Sequence, residues 1–473
     1  MTSEPQKVLR LPDLTLFTVS AIVLLDTLAA SAAIGVSSLF WWLFLGVTFM
    51  LPLGLITAEL GTSFPAEGGI YVWIKRAFGQ RWATRAVWAY WINTAIWLPA
   101  IYILFAGILS RLLQVELGIP TAIGIGIALA WLTVAVDLFG LKIGKWIPNL
   151  GAVLKMIIFI VLIIGGFRYA ASNGYANDIG VRTLTPSWAD GLKFLPVIIY
   201  GMLGFELVSA AGSEIRQPEK TVPRAILFSG VLILALYSLA TLGILAAIPV
   251  TELDIVDGLI DTLNLFFGQS SQGALIVTVL GIGALYTFWS NGATWAMGCN
   301  RAIAEAAAER QLPAAFAYSA ANSDTTQTSA SKQSAPQGAA ILMGIVCTAA
   351  LILYGGLAST NEDLFWSLFS FSAVIFMLPY IGMVLAFAKL RFSEPTAPRP
   401  FRVAGGTLGA CLLSGICVII LFATIALFLY VPDEGPQFAT LYGVIVVLIV
   451  GEVLIYRARK TRDTESDSTQ QPS

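Results

Sequence analysis

The chain has 473 residues, 57% of them hydrophobic and 12% charged, with a net charge of −1 and a mean hydropathy of +0.81. A soluble domain carries about 25% charged residues, so the composition excludes an ordinary soluble globular protein, and the lack of a basic excess excludes a nucleic-acid partner. Histidine is absent, which removes Ser-His-Asp and Cys-His catalysis and the HExxH zinc site.

Residues 1–11 read as a short polar cytoplasmic arm. Roughly 20 apolar residues cross a bilayer, and twelve segments of that kind follow, at 12–34, 39–62, 83–110, 120–139, 147–168, 191–211, 224–249, 271–298, 338–358, 363–388, 405–431 and 437–457. The first is a full span that contains Asp26 and lacks a cleavage pattern, so it reads as a span and not as a signal peptide. The loop 250–268 carries Glu252, Asp254, Asp257 and Asp261 and no basic residue. Asn300–Arg310 alternates alanine and charge and reads as a cytoplasmic surface helix. Ala317–Gln337 is a flexible linker by composition, and 458–473 a disordered tail. The fold class is all-α and polytopic, with 12–457 as one transporter domain.

The basic residues set the expected topology. With the N-terminus in the cytoplasm, 22 of the 27 Lys and Arg fall on cytoplasmic segments, and the outside receives Arg111, Arg168, Arg182 and Lys193. Both termini are therefore expected in the cytoplasm of a cell-membrane protein. Cys299, Cys347, Cys411 and Cys417 have no metal-ligand spacing and read as small core residues. No phosphate-binding loop, metal cluster or cofactor motif is present, so an enzyme is not expected, and transport would run on gradients or exchange.

Charged groups inside spans are expensive and usually have a task. Glu206 lies in an apolar segment beside Gly201 and Gly204, which let the backbone open. A broken helix with a buried acid beside it is one way transporters build a substrate site; the plainer alternative is an acid packed near a helix end. Asp26 lies midway through the first span and is followed by small residues, as an unwound segment needs. It would receive a substrate amine or a proton, or serve as a structural acid at a broken helix end. Lys155 lies about two turns into the fifth span. It either snorkels to the cytoplasm or is a buried amine that exchanges a proton during transport. Glu59 and Asp137 are expected to pair with loop cations, and Glu452 is expected to be structural. Tyr200, Trp289 and Trp295 offer aromatic faces that hold an ammonium or close over it, or else pack. Asn291 and Gly292 mark span eight as lining the path.

Three stretches carry a resemblance. They are Ala58–Trp73, with Pro65, Glu67, Gly68, Gly69 and Tyr71; Gly204-Phe205-Glu206 through Glu214, Pro218, Lys220 and Arg224; and Asn300-Arg301 through Leu312-Pro313. Over essentially its whole length the chain resembles the amino acid–polyamine–organocation permease superfamily, nearest in pattern to its glutamate/GABA antiporter-like and polyamine-uptake branches. The resemblance implies two inverted five-span repeats (spans 1–5 and 6–10), spans 11–12 appended, and a site between broken spans one and six. It gives Glu206 a coupling or gating role, Tyr200 a gating position, and Lys155 the place of a sodium ion; Trp295 is expected to gate through its aromatic face. The family's Gly-Ser-Gly break in span one is replaced here by Leu25-Asp26-Thr27-Leu28, which favours an amine-rich substrate. The expected substrate site comprises Asp26, Thr27, Tyr200, Gly201, Gly204, Trp289 and Asn291. The expected function is a sodium-independent permease or exchanger of amino acids working by alternating access, with a polyamine importer or a non-transporting sensor as alternatives. Its partners are the small-molecule substrate, protons or a counter-substrate, and the bilayer.

Overall fold

Long apolar runs in lipid can satisfy their backbone only as helices, and helices dominate the architecture. The computed structural model describes residues 10–65, 69–139, 146–186, 192, 194–208, 215–253, 258–268, 270–319, 336–432 and 434–469. Lys142, Lys145, Lys193, Glu67, Gly68, Glu214, Asp254, Asp257 and most of the 317–337 linker lie outside them.

Helices α1 (Leu11–Ile22) and α2 (Leu25–Ala33) form the first span. The second is α3 (Ser38–Leu45), a five-residue π-helical turn Gly46–Met50, and α4 (Leu51–Ser63). Next come α5 (Ile70–Phe78), α6 (Gln80–Leu113), α7 (Ile119–Phe139), α8 (Trp146–Asn173), the short α9 (Val181–Leu184) and α10 (Leu195–Tyr200). The remainder are α11 (Pro218–Ala247), α12 (Gly258–Phe267), α13 (Ser271–Ala308), α14 (Gln337–Gly355), α15 (Asn361–Ser393), α16 (Gly406–Leu429) and α17 (Phe438–Thr469). A two-residue hairpin, Tyr430–Val431 against Gly435–Pro436, joins the last two. Ten helices among the described residues are long and apolar enough to cross a membrane, eleven with the bent pair α1–α2. The remaining expected segment, 191–211, is described only as Leu195–Val208 and is interrupted after Tyr200.

Several expectations are corrected. Asn300–Arg310 is not a separate surface helix: it continues span eight as the end of α13, which at 38 residues is about 57 Å long. Its alanine-rich sequence has no helix breaker before Pro313. Residues 458–469, expected in a disordered tail, extend α17, because a helix already nucleated by a span propagates easily into Arg, Ala and Lys. In span one the small residues after Asp26 are helical, and the break falls before them at Val23–Leu24, where the axis bends by 57°.

The cause of that break is Tyr237 on α11. Its hydroxyl donates to the Ile22 carbonyl (3.1 Å) and accepts from the Leu24 N–H (2.7 Å), standing in for lost helix bonds. Trp42 stacks on the tyrosine ring at 4.4 Å and 11°. In the sixth segment Gly204 takes φ +125°, a conformation that L side chains rarely adopt. A Cβ there would also meet Ile22 at 2.8 Å, and one on Gly201 would meet the Thr27 side chain. The two breaks therefore interlock, and glycine is what lets them approach.

Around this centre α6 packs against α13 and α15, α8 against α11, and α7 against α14. At the end carrying α5, Glu59 is buried and takes Arg391 at 2.5 Å, Arg399 at 3.1 Å and the Val403 N–H at 2.7 Å. Glu452 pairs with Arg85. Asp137 differs from expectation: its carboxylate accepts from Asn300 at 2.7 Å, and Asn300 in turn accepts from Trp91 at 2.8 Å. An amide reaching across from α13 is the nearer partner at that depth. The amphipathic α5 buries Ile70, Tyr71, Trp73, Ile74 and Ala77. It is tied on one side by Lys75 to Glu309 (2.9 Å) and on the other by Arg76 to Glu394 (2.7 Å).

Candidate functional site

A cavity of about 330 Å³ opens between the first half of span one, α6 and α13. Its inner end is lined by Tyr90, Glu206, Trp295 and Cys299, and its mouth by Tyr71, Arg301 and Glu305. Glu206 sits in the short 3₁₀ turn after the Gly201–Gly204 break and is 4% exposed. The Tyr90 hydroxyl donates to its Oε1 at 3.0 Å. Aromatic rings close around this carboxylate. Phe376 lies 5.7 Å from both Tyr90 and Trp295 and 5.4 Å from Tyr200, and Tyr200 meets Phe369 at 4.9 Å. Tyr200 thus stands in the aromatic layer beyond the cavity's inner end.

Asp26, Lys155 and Asn291 come together behind that layer. With Trp97 they line a void with room for about one water. Asp26 is 3% exposed; its Oδ1 accepts from the Thr27 N–H at 2.8 Å. Lys155 does not snorkel. Its side chain is buried, and its ammonium donates to the Ser20 carbonyl at 2.7 Å and to Asn291 Oδ1 at 3.4 Å. Ser20 lies in the last turn of α1, where helix carbonyls lack intrahelical partners and the dipole favours a cation. A lysine from span five therefore caps the broken end of span one.

The expected site residues fall into separate groups. Asp26, Asn291 and Lys155 share the void. Thr27 and Gly201 join the two breaks, and Gly204 joins Ile22. Glu206 and Trp295 line the cavity, with Tyr200 packed beyond it. Trp289 lines neither space and packs against Tyr286, with ring centroids 5.9 Å apart. Sequence reasoning missed Tyr237, Tyr90, Trp97 and Phe376. A tyrosine or phenylalanine in a span is too ordinary to be singled out, and only its neighbours in space give it a role.

The sequence pattern of the amino acid permease family fits residues 9–453. The chain belongs to that family. Among its relatives, a probable agmatine/putrescine antiporter, AguD, of Lactococcus lactis is 32% identical over 95% of both chains. A probable polyamine transporter of Arabidopsis thaliana is 26% identical over 80% of this chain and 70% of its own. A glutamate/gamma-aminobutyrate antiporter of Lactococcus lactis is 23% identical over 84% and 78%. The permease is a multi-pass membrane protein and a secondary transporter.

Proposed function

We propose that this permease exchanges ammonium-bearing substrates, amino acids or the amines derived from them, by alternating access and without sodium. The observation that carries this reading is the inner end of the cavity. Glu206 and the faces of Tyr90 and Trp295 meet there, while the lining arginine, Arg301, lies at the mouth. A carboxylate and aromatic faces attract an ammonium group. Asp26, one layer deeper, supplies a second acidic group for a substrate that has moved past the aromatic layer. Lys155, bonded to the end of α1, places an amino group where a bound cation would otherwise be needed. The basic residues support a cytoplasmic location for both termini and for the open mouth. The amine reading is supported further by the similarity to the Lactococcus agmatine/putrescine antiporter.

Counterflow into proteoliposomes tests the proposal, with unlabelled amino acids, diamines and agmatine competing against one transported label. Trans-stimulated uptake that is equal in sodium and choline buffers is expected, with amine-bearing compounds as the competitors. A strict sodium requirement, or binding without counterflow, would overturn it. Asp26→Asn is expected to weaken diamines more than zwitterions; equal loss for both would return Asp26 to a structural role.

A further inference from the structure

The cavity and the Asp26 void are stacked along the same two helices. On α6, Tyr90 and Trp97 are seven residues apart, so they share a face and stand about 10 Å apart along the axis. Tyr90 holds Glu206 at the inner end of the cavity, and Trp97 lines the void. On α13, Trp295 lines the cavity and Asn291, one turn earlier, lines the void. Trp97 meets Trp295 edge to face, with ring centroids 6.3 Å apart at 70°. These two indoles form a wall between the spaces, with a carboxylate on either side.

Two observations set this wall apart from ordinary packing. The Trp97 indole nitrogen and Asp26 Oδ2 are both buried with no hydrogen-bond partner among the described residues, although the indole is one of the groups that face this carboxylate. Lys155 shares the void, but its hydrogen bonds go to Ser20 and Asn291. A buried acceptor without a bond costs about 1–3 kcal/mol, and more when charged, so Oδ2 is an acceptor that favours any donor reaching it. Trp97 also stands in a weakened turn. Pro99 has no N–H to give to the Ala95 carbonyl, which accepts from the Cys347 thiol of α14 at 3.0 Å instead. The helix is one backbone bond short where the indole is attached.

A void of this size takes one small donor group, and a terminal ammonium is about as large as a water molecule. A second ammonium carried past Glu206 cannot rest in the aromatic layer, because an unpaired buried charge is expensive. Asp26 is the acid on the far side of the wall. We infer that Trp97 is the door between the two spaces and a specificity-determining residue: turned aside, its indole admits the second ammonium of a linear diamine to Asp26 while the first stays at Glu206. The inference rests on the reading of the cavity as an ammonium site. The separation of the two acids then selects the length of the diamine, while a monoamine engages Glu206 alone.

Counterflow in proteoliposomes tests this, with linear diamines from diaminopropane to diaminohexane and the matching monoamines competing against labelled putrescine. The wild type should prefer one diamine length and lose about tenfold for a methylene added or removed, the scale of a pocket of fixed size. Trp97→Ala joins the two spaces and should flatten that series, so that neighbouring lengths compete equally, with the monoamines little changed. Trp97→Phe keeps a ring in the doorway and should keep the series. In an Asp26→Asn background diamines should lose their advantage over monoamines, and adding Trp97→Ala should change their ratio no further, since both residues act on one ammonium. An unaltered series in Trp97→Ala, an equal loss for diamines and monoamines, a flattening in Trp97→Phe as large as in Trp97→Ala, or additive effects in the double variant would overturn the inference. If Trp97→Ala does not fold, Trp97→Leu carries the same test. A wild type that recognises none of these amines would overturn the reading of the cavity and this inference with it; a wild type that recognises them with a flat length series would overturn this inference alone.

Discussion

Lys155 and Glu206 divide the work of the buried charges, one capping a broken helix and the other ending a cavity. Replacing Lys155 by Ala removes a charged hydrogen bond to the Ser20 carbonyl, an interaction worth about 1.5–3 kcal/mol. Transport is expected to fall by about tenfold or more on that scale, while the protein stays monodisperse in size-exclusion chromatography. Retained transport with a new sodium requirement would show that a metal ion can take the place of the ammonium. Retained sodium-independent transport would remove Lys155 from the coupling machinery. Glu206→Gln keeps shape and hydrogen bonding but fixes a neutral group. In a chain without histidine a carboxylate or Lys155 must carry any pH response near neutrality. The variant is therefore expected to bind substrate with a flattened pH profile of uptake. An unchanged profile would assign the residue to packing. These two residues, with Asp26 and Asn291, were legible in the sequence because a polar group in an apolar span stands out. What the sequence could not show is which of them meet: Lys155 and Asp26 are 129 positions apart, and only the fold puts them on one void.

At the scale of elements, the breaks separate what sequence can and cannot give. Gly201 and Gly204 announce the interruption of the sixth segment directly. The first span has no such glycine, and its break depends on Tyr237, a residue more than 200 positions away. Helix α5 poses a comparable problem, since Lys75 and Arg76 in its last turn are held by acids from just beyond α13 and just beyond α15. The Arg76–Glu394 pair is open to experiment. The Arg76 guanidinium bonded to Glu394 holds that carboxyl below its ordinary value. A depressed carboxylate contributes stability above its unfolded pKa of about 4.3, and that contribution is lost as pH falls through the lower folded value. An exposed pair of this kind is worth up to about 1 kcal/mol. Glu394→Gln should therefore melt slightly earlier than wild type between pH 5 and 8, and the gap should close in acid, below about pH 4. A gap that persists at pH 3 would mean that shape and not charge holds α5.

For the molecule as a whole, the aromatic layer and the cavity that ends at Glu206 define one access state. The mouth carries Tyr71, Arg301 and Glu305, and Phe376, Tyr200 and Phe369 stand across the inner end. Ala302 lines the cavity near that mouth. In a cysteine-free background, Ala302→Cys should react with a membrane-impermeant maleimide in inside-out vesicles, and a transported substrate should change the rate. Reaction from the opposite face would reverse the proposed orientation.

The π-helical turn at Gly46–Met50 has a consequence for how the gene can change length. A π turn holds one residue more than an α-helical register needs. Losing a codon inside a span ordinarily turns every later side chain to the wrong face. Here the loss of Val47, which is 66% exposed, would convert the turn to α-helix and leave α3 and α4 facing as they do now. Deletion of Val47 should therefore express and melt close to the parent, whereas deletion of the buried Ile56 in α4 should not. The second span would then have a place where the loss of one residue can pass through evolution without being filtered out.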